Sequence, residues 1–194
     1  MGILTILFNR QIMKYLGTNA LSVYGIIVNI STFVQCCAYS VGQASQPIIS
    51  VNYGANQPRR IQEILKYALI SVAFFSLVWT GLSLFTPMTF VRIFMAPTPE
   101  ITAIAPQIIS CYGLSFLLLP FNIFSTYYFQ ALLQPKISFI VSISRGLILS
   151  GLLIFLLPLI SPNFLWLAMP LTEVFVAVYA GFNMKTYTQE LYSH

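Results

Sequence analysis

Arg145 and Glu173 are the two ions that this 194-residue sequence places deep inside apolar stretches. Each lies roughly 14 Å into its stretch, counted at 1.5 Å per helical residue, and the two are approached from opposite ends. In antiparallel neighbouring helices crossing a membrane, both reach about the bilayer midplane. An isolated charge is costly there, whereas a pair satisfies both partners. The sequence therefore predicts an Arg145–Glu173 ion pair. Exchange of a proton or cation at a free Glu173 is the competing role for the same carboxylate.

Uncharged polar residues form a second pattern. At ~100° per residue, Gln35, Tyr39, Gln43 and Gln46 share an arc of about 100° with Thr32 and Gly42, just ahead of Pro47. Farther along, Asn122 and Thr126 share a face with Ser115 and Cys111, with Gln107 and Ser125 at its edge and Pro120 expected to kink the helix between them. Such stripes either line a pathway or hydrogen-bond neighbouring helices. Tyr127 and Tyr128 read as anchors at a membrane interface.

Other chemistry is scarce. There is no Ser/His/Asp or Cys/His set, no glycine-rich phosphate loop and no cluster spaced to hold a metal, so an enzyme is not expected. Cys36, Cys37 and Cys111 sit in apolar segments and read as packing residues. His194 is the last residue and receives no role. The net charge of +5 is not gathered into a basic face, and its longest tract is Arg59-Arg60, so nucleic acid is not an expected partner.

The elements that must position these residues follow from composition. Hydrophobic residues make up 58% of the chain and charged residues only 7%, too few to solubilise a globular surface. No charge interrupts Lys14 to Arg59, Lys66 to Arg92, Glu100 to Lys136 or Arg145 to Glu173. Crossing ~30 Å of hydrocarbon takes around 20 apolar residues, which gives transmembrane helices over 19–50, 67–91, 103–131, 137–160 and 164–185. Turn residues fall between them at Asn52–Pro58, Ala96–Pro99, Gln134-Pro135 and Ser161–Asn163. The fold class is thus an all-α, polytopic membrane helix bundle. Arg59, Arg60, Lys66, Lys136 and Lys185 outnumber Arg10, Lys14 and Arg92, which puts the Asn52–Lys66 connection in the cytoplasm. Glu63, three or four residues from Arg59, Arg60 and Lys66, supports a short surface helix there. Residues 1–16 are too short to span and read as the end of a truncated helix.

The order of motifs adds a family. Asn19–Ile26, then Gly42-Gln43-Ala44-Ser45-Gln46-Pro47, then Asn52-Tyr53-Gly54-Ala55 closely resemble the eighth helix of the multidrug and toxic compound extrusion (MATE) family and the loop after it. Tyr128–Leu132 with Pro135-Lys136 is similar to the family's junction between helices ten and eleven. Ser144-Arg145-Gly146 and Trp166–Pro170 are similar to helices eleven and twelve, and the MepA/DinF-like branch of bacterial exporters is resembled most.

The resemblance implies a C-terminal six-helix transporter lobe, with 1–16 as the end of helix seven and the five spans as helices eight to twelve. It implies a secondary-active antiporter in the bacterial inner membrane, exporting organic cations or drugs in exchange for protons or sodium. No cofactor is implied beyond that gradient. The expected partners are membrane lipid, the small organic substrates and the N-terminal lobe of the same transporter. Gln35, Tyr39, Gln43, Gln46, Asn122, Thr126 and Glu173 become candidates for the substrate or ion pathway. One departure stands out: where other members place an Asp in helix ten, this chain reads Leu119-Pro120-Phe121. A lipid or lipid-linked oligosaccharide flippase of the same superfamily, and a non-transporting fragment of a decayed gene, are the alternative readings.

Overall fold

A computed structural model describes residues 2–191, so His194 lies outside the described residues. The described residues form nine α-helices: α1 (Gly2–Tyr15), α2 (Gly17–Gly54), α3 (Pro58–Phe85), α4 (Pro87–Phe94), α5 (Pro99–Gly113), α6 (Leu119–Ala131), α7 (Pro135–Ile143), α8 (Leu149–Ile160) and α9 (Ala168–Glu190). Joined through short irregular turns, they make five stretches long and apolar enough to cross a membrane: Gly17–Gly54, Pro58–Phe85, Pro99–Ala131, Pro135–Ile160 and Pro162–Glu190. No strand occurs among the described residues.

Proline dictates where these elements begin and where they deform. Pro58, Pro87, Pro99 and Pro135 each open a helix, where the missing N–H costs nothing and the fixed φ suits the first turn. Thr98 caps α5, its Oγ1 accepting from the Ile101 N–H at 3.3 Å. Inside a span the same residue breaks the ladder. Pro120 cannot donate to the Phe116 carbonyl, nor Pro170 to that of Trp166. Both carbonyls fall in tight 3₁₀ turns, Leu114–Leu117 and Pro162–Leu167.

Two turns repeat one design. Asn56 and Leu133 take left-handed backbone, with φ of 51° and 57°. The following amides, of Gln57 and Gln134, bond back to Asn52 and Phe129 at 2.9 and 2.8 Å. These six-to-one closures terminate α2 and α6, and a proline then starts the next helix. Because α3 runs unbroken from Pro58, the surface segment around Glu63 and the membrane span after it are one helix. That helix ends at Phe85, and the separate helix α4 follows.

The core divides into two apolar clusters. Phe8, Tyr24, Tyr112, Phe116 and Trp166 anchor the first, with Phe8 stacked on Tyr24 at 5.0 Å. Phe124, Tyr128 and Phe129 anchor the second, at the end that carries the two repeated turns. Tyr128 is therefore not an interface anchor: it is fully buried, and its hydroxyl meets Thr188 Oγ1 at 2.7 Å. Tyr127 is half-buried against Gly42, where any Cβ would overlap its ring, so α2 and α6 approach closely.

Candidate functional site

The boundary between the two apolar clusters is where the buried ions sit. Along α9, Met169 belongs to the first cluster and Val176 to the second, and Glu173 lies between them with no exposed surface. Along α6, Asn122 occupies the same level between Leu119 and Phe124. Arg145 reaches this level from a five-residue π-helical turn, Ser144–Ile148, that separates α7 from α8. Such wide turns are rare and recur at functional sites.

Three side chains converge there. Arg145 Nε lies 2.9 Å from Glu173 Oε1, which makes the two an ion pair. The Asn122 amide donates to Glu173 Oε2 at 2.6 Å and to the Glu173 carbonyl at 2.9 Å. Each carboxylate oxygen thus has its own donor, which is what a charge removed from water requires. The guanidinium is only partly enclosed, at 17% exposure, and among the described residues it bonds through its Nε alone.

Beyond the guanidinium lies a cavity of about 160 Å³, lined by Ser31, Gln35 and Tyr39 of α2, Tyr112 of α5 and Arg145. Gln35 is 4% exposed, and its amide nitrogen has no hydrogen-bond partner among the described residues. Tyr39 is exposed at the rim and meets Tyr127 edge to face, with ring centroids 6.3 Å apart. Two of the sequence candidates, Gln35 and Tyr39, therefore share this cavity with Arg145, while Asn122 and Glu173 do not line it and join it only through Arg145.

Gln46 and Thr126 sit elsewhere. Gln46 donates to Gln130 Oε1 at 3.3 Å, Gln130 to Ser138 Oγ at 3.1 Å, and Ser138 to the Thr126 carbonyl at 3.1 Å. This relay ties α2, α6 and α7 together, the structural role available to such stripes. Gln43 is exposed on α2, and so is Gln107 on α5, which the face drawn through Asn122 had included.

Gln43 belongs to a longer seam than the sequence reading assigned. Thr18, Ser22, Asn29, Thr32, Gln43 and Gln46 recur at helical spacings along α2, all exposed except half-buried Gln46. Ser22, Asn29 and Thr32 turn their side chains onto carbonyls one turn back, at 3.1, 3.0 and 2.9 Å. Tyr112 and Ser31 were missed as well. The signal for Tyr112 was its place beside Cys111, but the 3₁₀ turn at Leu114–Leu117 resets the helical phase, so a single wheel cannot span it.

The sequence model of the MatE family matches residues 2–156. The chain belongs to the MatE family. As a MatE protein it shares a family whose members are transporters. No curated protein shows significant similarity to it. Among solved structures it is similar to an outward-facing multidrug resistance MATE family transporter of the MOP superfamily, at 14% identity and a TM-score of 0.88, covering 100% of this chain and 44% of that one. It is also similar to a MOP superfamily transporter from Pyrococcus furiosus reported to have a binding pocket of reversed polarity. There the identity is 16% and the TM-score 0.86, covering 98% of this chain and 43% of that one. At these identities the likeness establishes the fold. The MatE chain spans less than half the length of the structures it matches.

Proposed function

We propose that this chain is the C-terminal bundle of a secondary-active multidrug antiporter of the bacterial inner membrane, exporting organic cations in exchange for protons or sodium ions together with an N-terminal bundle. The observation that carries the reading is the polar seam on α2 beside the buried Arg145–Glu173 pair. A lipid-facing seam of hydroxyls and amides would be expensive across a whole span, so it suits a water-filled path or a second bundle. Transporters of this kind work by moving one bundle against another around a site near the midplane. The depth of Glu173 gives that movement a charge whose partners can change. The exposed α2 seam faces the cation, Gln35 and Tyr39 line the cavity beside it, Asn122 and Arg145 hold Glu173, and Gln46 ties the end of the seam through Gln130 and Ser138 to the Thr126 carbonyl.

The test is co-expression with an N-terminal six-helix MATE bundle in cells stripped of other efflux pumps. Accumulation of a fluorescent organic cation should fall only when both bundles are present, and collapsing the ion gradient should restore it. Unchanged accumulation with both bundles inserted in the membrane refutes the proposal.

A further inference from the structure

The polar groups lining the cavity beside Arg145 carry one positive charge and no negative one, among apolar Leu4, Leu119 and Met169. The guanidinium spends only Nε on Glu173, and its terminal nitrogens have no partner among the described residues. The Gln35 amide nitrogen is buried and unpartnered on the same cavity wall. Ser31, Tyr39 and Tyr112 add hydroxyls, which donate or accept and so do not repel an anion. The Glu173 carboxylate offers the cavity nothing, because it has no exposed surface and each oxygen is already held, by Arg145 and by Asn122. A cation entering here would find no acceptor of opposite charge. A carboxylate would find the planar fork that matches its two oxygens. The volume of about 160 Å³ equals roughly five waters at ~30 Å³ each, enough for a carboxylate with a small ring behind it.

We propose that this cavity is a carboxylate-binding site, in which the guanidinium edge left free by Glu173 and the Gln35 amide together hold the carboxylate of a small organic solute. The site goes beyond cation export, and its occupancy depends on neither a second bundle nor a gradient. It also competes with Glu173 for one guanidinium: a carboxylate in the cavity and the carboxylate on α9 draw on the same charge. Replacing Glu173 by an uncharged isostere therefore strengthens binding, whereas removing the Gln35 donor weakens it.

The experiment is isothermal titration of the purified 194-residue chain in neutral detergent with benzoate, and with benzamide as the uncharged control. Benzoate should bind saturably and benzamide at least tenfold more weakly. Gln35→Leu should lower benzoate affinity about tenfold without lowering the melting temperature, since it removes a donor that the folded chain leaves unsatisfied. Glu173→Gln should raise affinity about tenfold. If that variant fails to fold, the wild-type and Gln35→Leu titrations decide. Absence of saturable benzoate binding by the folded wild type, or equal affinity in Gln35→Leu, overturns the site. A chain that binds benzoate but fails in the co-expression assay leaves the carboxylate site standing and refutes the exporter alone.

Discussion

Removing Arg145 should cost this fold more than removing Glu173, and removing both should cost less than either loss would suggest. Glu173 has no exposed surface, and among the described residues Arg145 Nε supplies its one ionic contact, at 2.9 Å. Arg145→Met leaves the carboxylate with the Asn122 amide alone, at 2.6 Å. Stranding a buried charge costs ~3–5 kcal/mol. In Glu173→Gln the guanidinium is stranded instead, but it is 17% exposed and borders a cavity with room for water, so the expected loss is ~1–3 kcal/mol. The double variant Arg145→Met/Glu173→Gln has no charge to strand, and the introduced amide can still accept from Asn122. Its loss should be ~1 kcal/mol or less, which gives a coupling energy of ~3 kcal/mol or more, well above the ~0.5 kcal/mol typical of independent sites. Helical circular dichroism during titration with a denaturing detergent measures all four corners of the cycle. Additive losses, or a Glu173→Gln variant less stable than Arg145→Met, would refute the view that the two side chains share one buried interaction.

Three further outcomes follow from packing and backbone. Gly42→Leu should destabilise by ~1–3 kcal/mol through overlap with the Tyr127 ring, and Tyr127→Ala should recover part of that loss in the same unfolding assay. Leu133→Asn should stabilise by ~0.5–1 kcal/mol, because asparagine tolerates the left-handed backbone that leucine holds at φ 57°; an unchanged or lower midpoint would contradict this. Tyr128→Phe should cost ~1 kcal/mol by deleting the 2.7 Å contact to Thr188, whose own hydroxyl keeps its bond to the Met184 carbonyl at 2.6 Å.

The five spans were legible because apolar length and proline punctuation act locally. Pro58, Pro99 and Pro135 mark helix starts in any context, and uncharged runs of over twenty residues leave few alternatives to a span. Continuity through charged residues was less legible. Arg59, Arg60 and Lys66 interrupt the apolar run without ending a helix, so the surface helix that opens at Pro58 continues into the span placed from 67 as one element, α3. The faces of the helices were legible only over unbroken segments. Gln35 and Tyr39 do share a wall, since α2 is regular there. The angles through Asn122 mislead at Gln107 because a 3₁₀ turn intervenes. The π turn at Ser144–Ile148 left no mark in composition, and it carries Arg145. Tyr128 looked like an anchor from its position alone, and only packing against Phe124 and Phe129 shows it as core.

The placement of Arg145 and Glu173 on consecutive spans also bears on how the chain enters a bilayer. Pro135–Ile160 and Pro162–Glu190 are joined through Ser161 alone, so they form a tight hairpin. Inserted one at a time, each span would carry a naked ion to mid-depth, at ~2.5–3.5 kcal/mol apiece on insertion scales for a basic or acidic residue. Inserted as a hairpin, the arginine of the first span meets the carboxylate of the second before either must face lipid. Insertion as a hairpin would therefore spare both spans that cost, so the ion pair bears on how the chain enters a bilayer as well as on its finished fold.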